Sequence, residues 1–235
     1  MPGALRTPAA FDVESFRAAG RRVVLREVGE PTVVLGSTQS ISVVDADHAL
    51  RRGVTVVRRR SGGGAVLLLP GEQVWADLWV PRTDPLWSAE PRASALVAGE
   101  WWARALRASH GGGGSELLAV HRGASVPAPG SDVVCFAGVG PGEVSWGGRK
   151  LVGLAQWRSR EGVLVHGCAY RRWDARLLVE ILRVAPEARL GLSKALRDAA
   201  VGLEELGAGG WGHDALLDAL LDALEEPPSW EVVRA

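Results

Sequence analysis

The sequence predicts an α+β fold: a mixed, mostly antiparallel sheet with packed helices. Three observations point there. Short β-branched runs alternate with turn residues, hairpin-length connections join many of them, and only a few helical stretches are interspersed. A doubly wound parallel sheet would instead need a crossover, usually helical, for each parallel pair. At 235 residues the chain suits one large domain. Residues 1–20 read as a peripheral N-terminal segment and 21–235 as a single domain.

Strands are expected at 22–28, 32–35, 54–59 and 65–69, each a β-branched or aliphatic run bounded by turn residues. Asp45 is a plausible N-cap for a short helix over 45–52, which Gly53 ends. Over 73–80, Val74, Ala76, Leu78 and Val80 share one face while Trp75, Asp77 and Trp79 take the other. The stretch 92–109 is the clearest long helix, with Leu96, Val97, Trp101 and Ala105 at helical spacing. His110 and four glycines then stop it. Further strands are expected at 117–121, 132–136, 143–146, 150–156 and 163–170. Helices over 174–184 and 214–224 follow, the second ended by Pro227-Pro228.

Composition removes several function classes. Twenty-seven basic residues balance 27 acidic ones, which argues against a general nucleic-acid or membrane-surface binder. Two cysteines, Cys135 and Cys168, are too few for a disulfide framework or a zinc ribbon. The N-terminus has no apolar signal core and no segment approaches a membrane span, so the expected location is the cytoplasm.

The stretch Arg58-Arg59-Arg60-Ser61-Gly62-Gly63-Gly64-Ala65-Val66 carries the most chemistry. Consecutive glycines let the backbone approach a ligand and turn N–H groups toward an anion. Ninety residues later Lys150, one of only two lysines, sits in Gly148-Arg149-Lys150-Leu151-Val152-Gly153. A planar guanidinium and a mobile ammonium together suit an anionic, nucleotide-linked intermediate.

Arg58 to Val66, Gly148 to Gln156 and His166-Gly167, in this order, resemble the lipoate–protein ligase A family. That family shares its catalytic domain with biotin protein ligases and lipoate-pathway octanoyl transferases. The resemblance covers roughly residues 20–225 and implies the sheet-and-helix domain related to class II aminoacyl-tRNA synthetase cores. It leaves no room for the accessory C-terminal domain that some ligases carry. Departures are local: Val66 is followed by Leu67-Leu68-Leu69-Pro70, where the family often has Phe-His-Asp.

The resemblance implies a role for each motif residue. Lys150 holds the carbonyl and phosphate oxygens of an acyl-adenylate. Arg59, Ser61 and the backbone of Gly62, Gly63, Gly64 and Ala65 line the ligand pocket, and Gly153 leaves room for the ligand. Asp132 holds Mg²⁺ or orients the incoming amine, or is a plain turn residue. His166 with Gly167 contacts substrate, or His166 is a hydrogen-bonded structural residue. Cys135, in a Cys-Phe pair, is a small buried hydrophobe or the acyl-accepting thiol of an octanoyl transferase.

The leading expectation is an ATP- and Mg²⁺-dependent lipoate–protein ligase. It would form lipoyl- or octanoyl-AMP and acylate a lysine of a lipoyl carrier domain, in a 2-oxoacid dehydrogenase E2 or a glycine-cleavage H protein. The alternatives are an octanoyl transferase that uses Cys135 and no cofactor, and a non-catalytic member that binds the carrier or an acyl-nucleotide.

Overall fold

The computed structural model describes residues 19–109, 115–206, 213–224 and 230–235. The glycine run after His110, Pro227-Pro228 and all but the end of the N-terminal segment lie outside them. Strands β1 (Arg22–Arg26), β2 (Thr32–Leu35), β3 (Thr55–Arg58), β4 (Val66–Leu68) and β5 (Gln73–Pro81) come first, with helix α1 (Ala46–Arg51) between β2 and β3. Helix α2 (Pro91–Ser109) precedes β6 (Leu118–Val120), β7 (Val144–Trp146), β8 (Arg149–Arg158) and β9 (Gly162–Tyr170). Helices α3 (Arg176–Ile181), α4 (Pro186–Ala199) and α5 (His213–Asp222) and strand β10 (Glu231–Arg234) complete the order.

Seven strands form one sheet in the order β10-β1-β5-β9-β8-β7-β6, and β3-β2-β4 form a second. Among the strands of the described residues, only the β1–β10 and β2–β3 pairs are parallel. The mixed, mostly antiparallel α+β class is therefore what the molecule has. Asp45 caps α1 as expected, its carboxylate accepting from the His48 amide at 2.9 Å.

Strand alternation sets the layers. Val74, Ala76, Leu78 and Val80 of β5 and Val163, Val165 and Ala169 of β9 pack with Trp101, Trp102 and Leu106 of α2. A second core gathers Val33 and Leu35 of β2, Leu67 of β4, and Leu178, Ile181 and Leu196 of α3 and α4. The remaining face of the large sheet looks toward the small sheet, and the site lies between them.

Two expectations change, and α4 and β10 are additions. Residues 132–136 form no strand: a turn leads into a 3₁₀ helix, Cys135–Ala137. The chain there touches the glycine loop only through an isolated bridge, Ala65 to Val134, so no ladder propagates. The helix expected over 174–184 is confined to α3 and is followed by α4. That helix buries only Leu196 and leaves Leu190 exposed, so its apolar periodicity is too weak to read. Strand β10 is four residues long and depends on pairing with β1, a contact 209 residues away in sequence.

Candidate active site

A two-residue turn and a bulge aim Lys150. Gly147 and Gly148 have φ of +56° and +81°, as a tight hairpin joining β7 to β8 requires. Val144 then pairs with Val152, but Ser145 pairs with Lys150, so Leu151 is an extra residue on β8. Leu151 and Val152 both enter the α2-side core. In an unbroken strand Lys150 and Gly153 would face opposite sides; the bulge brings them to the same one. A Cβ on Gly153 would lie 3.2 Å from Lys150 Cε.

Lys150 is 1% exposed, and its ammonium is fully engaged. Nζ donates to the Cys135 carbonyl at 2.7 Å and to the Gly138 carbonyl at 3.3 Å, and lies 2.6 Å from Glu143 Oε1. It also sits 3.8 Å from Cys135 Sγ and over the Phe136 ring. Burial disfavours the ammonium, but the Cys135 sulfur and the Glu143 carboxylate outweigh it and hold its pKa above the ordinary lysine value. Glu143 is the partner sequence reasoning missed. It stands seven residues before Lys150 in a loop, where spacing carries no signal, and it also accepts from the Leu154 and Gly140 amides.

The glycine loop meets the Cys135 turn edge to edge. Ala65 N–H donates to the Val133 carbonyl and Cys135 N–H to the Ala65 carbonyl. A Cβ on Gly64 would come within 2.6 Å of the Cys135 amide nitrogen, so only glycine permits this approach. Gly63 has a φ of +95°, and its carbonyl packs against Gly36. Arg59 sets the loop's shape. Its guanidinium donates to the carbonyls of Val34, Gly62 and Gly64 at 3.1, 2.7 and 2.9 Å. Burial pulls its pKa down, an effect that the nearby Cys135 sulfur opposes. Arg59 is thus first a clamp on the loop. A trans peptide points N–H opposite to C=O, so the Gly63 N–H faces away from Arg59. Gly63 and Gly64 line a cavity there.

Two cavities share the Cys135 side. The inner one, about 420 Å³, is apolar and bordered by Val34, Val66, Leu68, Trp75 and Phe136, with His166 and Cys168 at its wall. The outer one, about 840 Å³, is bordered by Gly63, Gly64, Ser125, Glu143 and Lys150. Cys135 and Leu154 border both.

The other expected site residues separate. The Ser61 hydroxyl is buried, has no hydrogen-bond partner among the described residues and borders neither cavity, while Gly62 is exposed. Phe136 packs beside Gly153, its ring 2.7 Å from where a Cβ would lie, and Gly153 itself borders the inner cavity. Gly167 faces away from the site: a Cβ would lie 2.2 Å from Trp102 Nε1 of α2. Asp132 is exposed on its turn and borders neither cavity. No group of three or more His, Cys, Asp or Glu side chains able to hold a metal occurs among the described residues. His166 does reach the inner cavity, with Nδ1 donating to Asp77 Oδ1 at 2.8 Å.

The lipoyl protein ligase A/B catalytic domain matches residues 13–225. The chain belongs to that family. That family comprises lipoate ligases and octanoyltransferases. Octanoyltransferase LipM of Moorella thermoacetica is 32% identical over 178 residues, 75% of this chain and 63% of that protein. The LipM of Kyrpidia tusciae is 29% identical over 83% of this chain and 71% of its own length. This family member thus spans under two thirds of the first relative. Among solved structures, the bipartite lipoate protein ligase of Thermoplasma acidophilum, described with its E2 lipoyl domain, superposes with a TM-score of 0.70. It is 18% identical, over 94% of this chain and 77% of that one. A lipoate-protein ligase A bound with ATP gives 0.65 at 19% identity, over 94% and 78%. These two likenesses establish the fold. No helix among the described residues is long and apolar enough to cross a membrane.

Proposed function

We propose that this chain is an octanoyl transferase that carries the acyl group on Cys135. The observation that supports this most is where Cys135 stands. It borders an apolar slot on one side and a polar cavity on the other, with a buried ammonium 3.8 Å from its sulfur. An acyl chain has a dry place to lie, and thiol donors and amine acceptors have an open approach.

The reaction takes two displacements. The Cys135 thiolate attacks the carbonyl carbon of an acyl-carrier thioester. A new C–S bond forms, the carrier's sulfur leaves, and it takes up a proton as the free thiol. The amine of a lipoyl-domain lysine then attacks the Cys135 thioester. The C–N bond forms, the C–S bond breaks, and the amine's surplus proton returns the sulfur to the thiol. Lys150 and the backbone of Gly63 and Gly64 border the outer cavity beside Cys135, and in this reading they stabilise the negative charge that develops on the carbonyl oxygen. Because protein acceptors occupy Nζ, that oxygen would displace the longest contact, to Gly138. The LipM relatives support the transfer chemistry, and the E2 lipoyl domain described with the archaeal ligase supports a lipoyl domain as acceptor.

The Gly62–Gly64 triplet supports a second reading, an ATP-dependent ligase in which the outer cavity holds an acyl-adenylate. Octanoyl-carrier turnover by Cys135→Ser separates the two. The transferase loses turnover with the thiol, whereas a ligase keeps lipoate- or octanoate-dependent pyrophosphate exchange in the same variant.

A further inference from the structure

Behind the wall of the inner cavity lies a buried polar cluster that the transfer chemistry does not use. Asp77, on β5, is 0% exposed. Its Oδ1 accepts from Trp75 Nε1 at 2.7 Å and from His166 Nδ1 at 2.8 Å, and its Oδ2 accepts from Arg26 Nε at 2.5 Å. Burial opposes the carboxylate, but His166 and Arg26 outweigh it and hold its pKa below the ordinary value. One carboxylate thus fixes two rings, and both rings, Trp75 and His166, border the apolar slot.

Register gives the slot a direction. Gly153 of β8, beside Phe136, pairs with Cys168 of β9, and Cys168 pairs with Trp75 of β5. All three border the inner cavity. The line from the Cys135 side to Trp75 therefore crosses two strand spacings, roughly 10 Å. An extended hydrocarbon of ~1.5 Å bonds advances roughly 1.25 Å per bond, so that span takes about eight carbons. Beyond Gly153 and Cys168, the indole is the large side chain on this line.

We infer that Trp75 is the end wall of the acyl slot and that Asp77 is the positioning residue that locks Trp75 and His166 in place, so that this pair limits the acyl chain to medium length. The inference rests on the slot being the acyl site of the proposed transferase. A wall held by hydrogen bonds on its polar edge resists displacement by a longer chain better than a freely rotating ring, because the indole N–H would be left buried without its acceptor.

Acyl-enzyme formation on Cys135 is measured by mass spectrometry with octanoyl- and dodecanoyl-carrier thioesters. Wild type should favour octanoyl. Trp75→Leu should raise the dodecanoyl-to-octanoyl rate ratio by roughly tenfold or more, the scale on which a hydrophobic pocket discriminates by methylenes. Asp77→Asn should move the ratio in the same direction by less, because it keeps an acceptor but loosens the wall. If Asp77→Asn does not fold, because Arg26 loses its counter-charge, Trp75→Leu still decides. An unchanged ratio in folded Trp75→Leu would overturn the inference. Absence of any Cys135 adduct in wild type would overturn the transferase reading instead. Calorimetric binding of octanoate against dodecanoate to wild type and Trp75→Leu would then test the wall alone, and an unchanged preference would overturn it.

Discussion

The two faces of the seven-stranded sheet use the same strands for opposite purposes. Toward α2, β5 and β9 present Val74, Ala76, Leu78, Val163, Val165 and Gly167 against Trp101 and Trp102. Toward the small sheet, the alternate residues of the same strands are Trp75, Asp77, His166 and Cys168. One face is filled by shape. The other buries charge, and each buried charge has named partners: Lys150 with Glu143, Asp77 with Arg26 and His166. A charge kept out of water is costly unless paired and hydrogen-bonded, so a face that retains several is set apart for chemistry. Alternation with period two, broken once by the bulge at Leu151, is enough to make that division.

Substitutions on the two faces should therefore fail differently, and the largest effect belongs to Cys135. Cys135→Ser should remove acyl transfer while thermal unfolding stays near wild type, because a hydroxyl is a far weaker nucleophile at neutral pH. Next comes Lys150. Lys150→Arg keeps the charge, but a planar guanidinium cannot replace an ammonium seated among two carbonyls and a carboxylate. A loss of roughly 10²–10³ in kcat is expected, the scale for removing one oxyanion donor. Near-normal activity of this variant would take Lys150 out of the mechanism.

On the other face the sign reverses. Gly167→Val should leave the chemistry of surviving folded enzyme largely intact yet destabilise it by about 1–3 kcal/mol, the cost of overpacking, because its Cβ would overlap the Trp102 indole. Denaturant unfolding beside acyl-transfer assays reads both quantities. A loss of activity without a loss of stability would move Gly167 to the site face.

The smallest effect is a pH dependence. Burial pushes the Cys168 thiol well above its ordinary value of 9.0, with the Cys135 sulfur and Asp77 adding to the shift. The folded form therefore keeps a proton that the unfolded chain gives up. The stability linked to this group is complete below pH 9.0 and is lost as pH rises from there toward the folded pKa. Cys168→Val should flatten that part of the alkaline limb of stability against pH. Tyr170, also raised by burial, will leave a residual slope.

Much of this division was legible in the sequence, and the reason is local. The β5 alternation, the Asp45 cap and the motif order are written in neighbouring residues. Lys150, Cys135 and the glycine triplet were identified from motif alone, and the structure gathers them. What escaped were contacts made through space. Glu143 reaches Lys150 from a loop, and Asp77 meets His166 across 89 residues. Trp102 occupies the space beside Gly167 where the motif suggests a ligand, and Phe136 packs beside Gly153 at the wall of the inner cavity. Arg59 does border the inner cavity, but spacing alone does not show that its guanidinium also clamps the loop through the carbonyls of Gly62 and Gly64. Spacing names the residue types brought together and leaves open which atoms they meet.

The central claim is that the acyl group passes through Cys135, between a slot that holds its chain and a cavity that admits its acceptor. Intact-mass measurement of wild-type enzyme incubated with octanoyl-carrier thioester, without ATP and without acceptor, tests it directly. A stoichiometric octanoyl adduct that maps to Cys135 and is discharged by adding a lipoyl domain is expected. An unmodified protein that instead catalyses octanoate- or lipoate-dependent pyrophosphate exchange would contradict it.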